Sequence, residues 1–579
     1  MLSRTLESAK QARLVIDQSL DEYSPTEIII MSLAICGLVH IMLKTYDLVT
    51  KPHHRTIKER LLNYSLGQAR QLPFFGKRID TAIRQEAIKA LRSFKEQTDQ
   101  LRSRTETLSH LPDEGIALPE LRQRYRAFKG SYAKGKISGG IYTEYSDELR
   151  ILLEELYGNY ALTNPMHAIF TDLKKQEAEL LAWCNQLFHG GNGTHSIITA
   201  GGTLSIFEAC KAYVLHARKH GNTDPEIILP ESAHPAFIKA VEILNARVQI
   251  TPIDSRTGAA DVAAIANAIT KHTCLIVASG MSYPHGVMDP IEDIGRLCLE
   301  HDIHFHVDSC LGGFVTAFAD QAGFALPPCD FRVPGVTSIS ADIHKYGDGP
   351  KGSSVVMFKP NPTRLFNPTP TFTALTSAVG SYITPGLPGS RSGVQIVTAH
   401  AVMLSLGMSG YIAQTKAILE LRAELASRIA QIDGIEIPFQ TLLPVVGINT
   451  KPGINSLVVA EKMKENGWEL NCLLSRDYEP AGFHFCVTAS HTTTPGFVDD
   501  FADALSTAVA YVKANPQQKP SGIAKAYGVL ATGFVPELVQ ELIGDLYVRI
   551  DQSLPHSGIE GFFDATVDNT VTTNNKLKL

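Results

Sequence analysis

The sequence has no Cys-x-x-Cys pair, no excess of basic charge, no internal repeat and no extended low-complexity tract. Each absence removes a class of function. Nine scattered cysteines, an odd number without metal-ligand spacing, read as reduced and mostly buried thiols of a cytosol-facing domain rather than a disulfide framework or zinc site. With 53 basic against 59 acidic side chains the net charge is -6, which is not the electrostatic footprint of a nucleic-acid binder. What remains is an ordinary globular composition, 44% hydrophobic, that can bury a sizeable core. At 579 residues the chain exceeds what one core organises, so a large catalytic domain with smaller flanking pieces is expected.

Charge is missing in one further place. Ile28 to Leu43, "IIIMSLAICGLVHIML", contains no Asp, Glu, Lys or Arg. As a helix this run is about 24 Å long, short of the roughly 30 Å hydrocarbon core, but Lys44 can snorkel and Tyr46 can sit at the interface. Lys44, Lys51, Arg55, Lys58 and Arg60 follow it, against Arg4, Lys10 and Arg13 before it, which places the following domain in the cytosol if the segment spans. The segment is therefore expected to be a membrane anchor, the alternative being a buried or interfacial helix.

Five regions are expected along the chain: an N-terminal segment over 1–60, a charged helical region over 61–130, a large domain over 131–405, a smaller α+β domain over 406–520, and a helix with a polar tail over 521–579. Within the large domain "AAIANAITKH" leads to "TCLIVAS", "IEDIGRLCLEHD" leads to "IHFHVD", and a loop leads to "GVTSISAD". Helix followed by apolar strand, repeated, predicts an α/β fold with a mostly parallel sheet covered by helices. In the smaller domain "AQTKAILELRAELASRIAQI" reads as helix, and "INSLVVA" and "FHFCVTAS" as strands.

Ligand groups in such sheets collect where strands end. Asp308 ends one predicted strand and Lys345, in "SISADIHKYGDGPKGSS", follows the next, with His344 beside it and Lys351 six residues on. A strand-end carboxylate and a loop lysine one strand later suit pyridoxal phosphate. The lysine bonds the cofactor, and the carboxylate keeps the pyridine nitrogen protonated so that the ring acts as an electron sink. "TAGGTLSIFEACKAY" adds a phosphate site, because Gly201, Gly202 and Thr203 open an amphipathic helix whose first amides and dipole favour an anion. His234, after a strand and before a helix, can stack on the cofactor ring, although capping is the commoner role of such a histidine. His304, His306 and Asp308 share one strand face. That spacing also suits a metal, but hydrogen-bonded interior histidines are the preferred reading, and no metal is expected. Cys310 is read as a packed core thiol.

"SISADIHKYGDGPKGSS", "HFHVDSCLGGF", "TAGGTLSIFEACKAY", "SGGIYTEY", "TNPMHAIF" and "PGSRSG" together resemble the sphingosine-1-phosphate lyase family, pyridoxal-phosphate enzymes of fold type I in the group II decarboxylase superfamily. The resemblance covers about residues 115 to 550 and keeps the family's motif order. It implies Lys345 as the Schiff-base lysine, Asp308 at the pyridine nitrogen, His234 on the ring, Gly202 and Thr203 at the cofactor phosphate, and His344 in the same site. It further implies that Tyr142, Asn164, His167 and Lys351 meet the substrate and its phosphate. Tyr382, Gly389 and Ser390 would reach in from the second subunit of a homodimer with shared sites.

The implied reaction is retro-aldol cleavage of the C2–C3 bond of a long-chain base phosphate to phosphoethanolamine and a long-chain aldehyde, with Lys345, Tyr142 or Tyr382 moving protons. The implied location is a membrane with the catalytic domain facing the cytosol, the endoplasmic reticulum for a eukaryotic protein or one acting in a host cell, and the cytoplasm if 28–43 does not span. The family's GGTES reads "GGTLS" here, with Leu204 for the glutamate, and its GSRPGG reads "GSRSGV". The stretch before Tyr382 lacks the usual tryptophan. An amino-acid decarboxylase on the same scaffold is the rival enzyme reading. A cofactor-free membrane scaffold is the non-enzymatic one, and the intact Lys345 and Asp308 argue against it.

Overall fold

The computed structural model describes residues 111–127, 135–360, 367–376, 380–473 and 482–520. The expected anchor at 28–43, most of the 61–130 helical region and the C-terminal helix and tail lie outside them. The described residues from 112 to 520 belong to one compact unit.

A seven-stranded sheet organises this unit. Its strands are β1 (His195–Thr199), β2 (Glu226–Pro230), β3 (Arg247–Thr251), β4 (Thr273–Ser279), β5 (His304–Asp308), β6 (Val336–Ala341) and β7 (Ser354–Phe358). They lie in the order β1-β7-β6-β5-β4-β2-β3. β2, β3, β4, β5 and β6 pair in parallel, while β7 runs antiparallel to both β1 and β6. Every residue of β2 and β7 is buried, as expected of strands covered on both faces. The expectation of a mostly parallel sheet with helices on it is met, and the segments read as "TCLIVAS" and "HFHVD" fall on β4 and β5 as expected.

β8 (Phe372–Thr376) and β9 (Gly380–Thr384) form a separate antiparallel hairpin. β10 (Ile435–Glu436), β11 (Val445–Thr450), β12 (Asn471–Leu473) and β13 (Gly482–Cys486) form a four-stranded antiparallel sheet in the order β10-β11-β13-β12. The helix Phe497–Ala514 covers it through Phe497 and Phe501, which meet Trp468 and Phe485 edge-on or tilted at 4.8 to 5.9 Å.

One expected strand is a helix instead. "INSLVVA" begins the helix Ser456–Glu465, because the Asn455 side chain accepts hydrogen bonds from the Leu457 and Val458 amides at 3.1 and 3.3 Å. That cap fixes the first turn. Val458, Val459 and Met463 are then buried together, so two valines that suggest a strand are used at helical spacing.

The helix Gly393–Ile429 bends at Gly407, where φ is 57°. Among the described residues it alone is long and apolar enough to cross a membrane. Ile396 and Val397 pack with Leu173, and Tyr411 stacks on Phe318 at 4.9 Å, so much of its apolar face is spent inside the protein.

The helix Ile291–Glu300 crosses the start of β6 at a contact that only glycine permits. Gly335 has φ 98°, and a Cβ there would collide with the Gly295 carbonyl. β6 leads directly into Asp342 and Lys345. Gly335→Ala is therefore expected to cost at least about 2 kcal/mol in backbone strain and overlap, read as a lower thermal midpoint. An unchanged midpoint would show that the turn relaxes freely.

Candidate active site

Four strands end near one edge, and each delivers a residue expected at the site. Gly201 and Gly202 follow β1, His234 follows β2, Asp308 ends β5, and the loop carrying Asp342, His344 and Lys345 follows β6. A cleft of about 570 Å³ is lined there by Gly201, Gly202, Thr203, His234, Asp342 and Lys345, with His344, Cys310 and Leu387 also on its walls. That volume is in the usual range for a small-molecule site.

Lys345 is held by an acid that the motif spacing alone does not single out. Its Nζ lies 2.9 Å from Asp342 Oδ2, and His344 Nε2 lies 3.6 Å from the same oxygen. Burial alone would lower the Lys345 pKa, but Asp342 and, more weakly, Asp308 outweigh it, and the ammonium sits above its ordinary value. The carboxylate decides the state of the amine. A signal exists in the sequence, since Asp342 stands three residues before the lysine at the end of a strand adjacent to that of Asp308.

Asp342 is fixed from behind. Its Oδ1 accepts from Ser354 Oγ at 2.5 Å, Ser354 Oγ meets Ser205 Oγ at 2.8 Å, and Ser205 Oγ meets Thr199 Oγ1 at 2.6 Å. Its carboxylate also lies against Gly202, where a Cβ would fall 2.7 Å from Oδ2. The first turn of the helix Gly202–Lys219 thus opens on bare backbone, and its leading amides have no intrahelical acceptor. Asp308 is buried below, its Oδ1 accepting from the Cys310 amide at 3.0 Å and Ser340 Oγ at 3.2 Å. His234 Nδ1 accepts from the Ala236 amide at 3.1 Å, and its ring meets Tyr283 edge-on at 5.6 Å. Burial lowers the pKa values of His234 and His344, and Nδ1 of His344 has no hydrogen-bond partner among the described residues. A bare helix start, an unpartnered buried ring nitrogen, a lysine and a buried strand-end carboxylate around one cleft fit pyridoxal phosphate.

Tyr142 and Lys351 adjoin this cleft. Lys351 Nζ donates to the His344 carbonyl at 3.2 Å and lies 4.9 Å from the centre of the Tyr142 ring. Burial raises the Tyr142 phenol well above its ordinary pKa. Desolvation and the Lys345 charge lower the Lys351 pKa.

Asn164, Tyr382 and Gly389 gather elsewhere in the same chain. Asn164 Oδ1 accepts from the Met166 and Arg391 amides at 3.1 and 3.3 Å, and the Tyr382 hydroxyl lies against Gly389. His167, Ser390 and Tyr382 are solvent-exposed. None of these five lines the Lys345 cleft of its own chain. His306 is hydrogen-bonded to Ser338 Oγ at 2.8 Å and Ser340 Oγ at 3.1 Å. Cys310 is buried, and burial raises its thiol well above the ordinary pKa.

Because the Lys345 pKa lies above the ordinary value of about 10.4, its pair with Asp342 stabilises the fold in full below that pH, and the contribution is lost as pH rises beyond it. Asp342→Asn leaves burial unopposed at short range. Lys345 is then expected to react faster with trinitrobenzenesulfonate at mildly alkaline pH, measured by mass spectrometry of the 338–354 peptide. Equal rates in wild type and variant would show that another group supplies the counter-charge.

Residues 174–451 match the pyridoxal-dependent decarboxylase conserved domain. The chain is 36% identical over 522 residues to a probable sphingosine-1-phosphate lyase of Legionella pneumophila, covering 85% of this chain and 84% of that one. It is 33% identical over 537 residues to mouse sphingosine-1-phosphate lyase 1, covering 92% and 91%. The solved structure of the Burkholderia pseudomallei sphingosine-1-phosphate lyase superposes with a TM-score of 0.65 at 32% identity, covering 71% of this chain and 96% of that one. With this identity sustained over most of both chains, on a fold that gathers a lysine, two carboxylates and a bare helix start at one sheet edge, the chain belongs to the sphingosine-1-phosphate lyase family.

Proposed function

We propose that this protein is a pyridoxal-phosphate-dependent carbon–carbon lyase that cleaves the C2–C3 bond of sphingoid-base phosphates, such as sphingosine 1-phosphate, to phosphoethanolamine and a long-chain aldehyde. The observation that carries the reading is the Lys345–Asp342 pair at the mouth of the cleft, with Lys351 and Tyr142 alongside, in a chain whose relatives are named for this lyase activity. An amino-acid decarboxylase on this scaffold needs the same Lys345 and Asp308. It has less use for a cation and a phenol beside the lysine loop.

Pyridoxal 5'-phosphate, joined through Lys345, supplies the sink for the electron pair released when C2–C3 breaks. Gly202 and Thr203 take its phosphate on the first turn of their helix. Asp308 would serve the pyridine nitrogen, and His234 and His344 would hold the ring. The C3 hydroxyl must lose a proton and C2 must gain one. Tyr142 stays protonated through neutral pH because burial raises its pKa, so it serves as a donor to the substrate phosphate or to C2 rather than as a phenolate base. Lys345 Nζ, beside Asp342, and Tyr382 are the remaining proton carriers.

Lys351 and Tyr142, with Asn164 and His167, receive the substrate phosphate through charge-assisted hydrogen bonds. The separation of Asn164, His167, Tyr382, Gly389 and Ser390 from the Lys345 cleft of their own chain supports a homodimer in which they complete the partner's site. Phe372, Tyr382, Ile383 and Leu387, each at least 44% exposed, form an apolar surface that a second copy would cover. In this reading residues 28–43 tether the protein to a membrane with residues 131–405 as the cofactor-binding domain and 406–520 as a smaller one, both facing the cytosol.

The deciding experiment incubates the cofactor-loaded protein with sphingosine 1-phosphate and measures phosphoethanolamine and fatty aldehyde by mass spectrometry. Wild type is expected to yield both products and Lys345→Ala neither. Cofactor absorbance without either product would discard the substrate assignment and direct the search to amino-acid decarboxylation. Lys351→Met should raise KM about 10-fold or more, the usual scale for losing a hydrogen bond to a charged group. A KM unchanged in that variant would place the phosphate elsewhere.

A further inference from the structure

The helix Gly202–Lys219 carries, beyond its glycine start, a buried ion pair that none of the chemistry above uses. Glu208 is fully buried and Lys211 only 11% exposed, and the two side chains form a short salt bridge. Each also reaches outward. Glu208 Oε1 accepts the Leu387 amide at 2.5 Å, and Lys211 Nζ donates to the Pro370 carbonyl at 2.9 Å. Pro370 stands just before β8 and Leu387 just after β9, so the pair grips both feet of one hairpin.

These two grips act where the hairpin meets the rest of the protein. A two-stranded hairpin is marginal on its own, and Phe372, Tyr382 and Ile383 are exposed on it. Its second foot is shaped to the carboxylate, because Gly386 passes so close that a Cβ would lie 2.9 Å from Glu208 Oε1. Thr384 Oγ1 donates to the Gly386 carbonyl at 2.6 Å and closes the turn. A buried ion pair is seldom kept for stability alone, since apolar residues of equal volume usually do as well. Here each ion also makes a hydrogen bond to hairpin backbone, and Leu387 is itself a wall of the Lys345 cleft.

We propose that Glu208 and Lys211 are positioning residues, a staple that fastens both feet of the β8–β9 hairpin to the helix whose first turn forms the cofactor end of the cleft. The staple fixes Leu387 against that cleft and sets the direction in which Tyr382, Gly389 and Ser390 are presented. Its catalytic consequence rests on the role given to Tyr382 above. The staple itself does not.

Three variants of the cofactor-loaded, full-length protein test it. Glu208→Leu/Lys211→Leu removes both outward bonds while keeping the interior apolar. Glu208→Gln/Lys211→Gln replaces the ion pair with neutral amides that can still accept from Leu387 and donate to Pro370. Lys211→Met opens the Pro370 foot alone. Amide hydrogen exchange of peptides covering 380–390 is expected to accelerate about tenfold or more in the Leu pair and to stay near wild type in the Gln pair, the difference corresponding to the lost backbone bonds. With sphingosine 1-phosphate, kcat should fall in the Leu pair with KM little changed, and should recover in the Gln pair.

Wild-type exchange in the Leu pair would overturn the staple, as would a Gln pair that exchanges as fast as the Leu pair. If the Leu pair does not fold, Lys211→Met tests the same fastening through exchange at 372–376: acceleration there supports the staple, and wild-type exchange overturns it. Accelerated exchange without any lyase activity in the wild type would keep the staple and reject the substrate reading. Accelerated exchange with unchanged kcat would reject its catalytic role.

Discussion

A buried carboxylate facing a half-buried ammonium is the constraint from which the rest of the site follows. Asp342 must be ionised to hold Lys345, and an ionised carboxylate inside a protein needs every oxygen satisfied. The chain of hydroxyls Thr199, Ser205 and Ser354 does this from one side, and Lys345 with His344 does it from the other. Those hydroxyls belong to β1, to the helix that follows it and to β7, so satisfying one carboxylate locks three elements together beside the lysine. The same carboxylate fills the space against Gly202, which is why that position is glycine.

Electrostatics then divide the neighbouring groups by role. Burial keeps His234 and His344 neutral and Tyr142 protonated, while the two acids keep Lys345 charged. The site thus sets neutral rings and a phenol beside its charged groups. Its charge is concentrated at Lys345, Asp342, Asp308 and Lys351. Three tyrosines hold the loop itself: Tyr346 Oη donates to the Val487 carbonyl at 2.7 Å, Tyr411 Oη to that of Gly347 at 2.7 Å, and Tyr145 Oη to that of Asp348 at 2.6 Å.

The sheet is legible in the sequence because its strands are continuous apolar runs separated by amphipathic helices, and period and length decide between those two states. Lys345, Asp308, Gly202 and His234 are legible because strand ends in such a sheet share an edge. Asp342 is harder to read, because a strand-end acid one strand earlier already answers the chemistry, and its place three residues before the lysine gains meaning only once β6 is seen to end there. "INSLVVA" misleads for another reason. Paired valines favour a strand until a capping asparagine commits the backbone to a helix, and the choice depends on which face meets the antiparallel sheet. Glu208 and Lys211 look like an ordinary solvated i, i+3 pair, and their burial depends on a hairpin far along the chain.

β7 is the strand of the large sheet that runs against both its neighbours. Because it pairs directly with β6, the loop between them is the tip of a hairpin rather than a crossover, and Ala341 and Val355 face each other across its base. Inside it, Gly349 N donates to the Ile343 carbonyl at 2.9 Å and His344 N to that of Ser353 at 3.0 Å. A segment closed at its base and braced within has little backbone entropy left to lose. Any movement of Nζ away from Asp342 must therefore come from torsions of the lysine's own four-carbon arm, which leaves the wall that carries it unchanged.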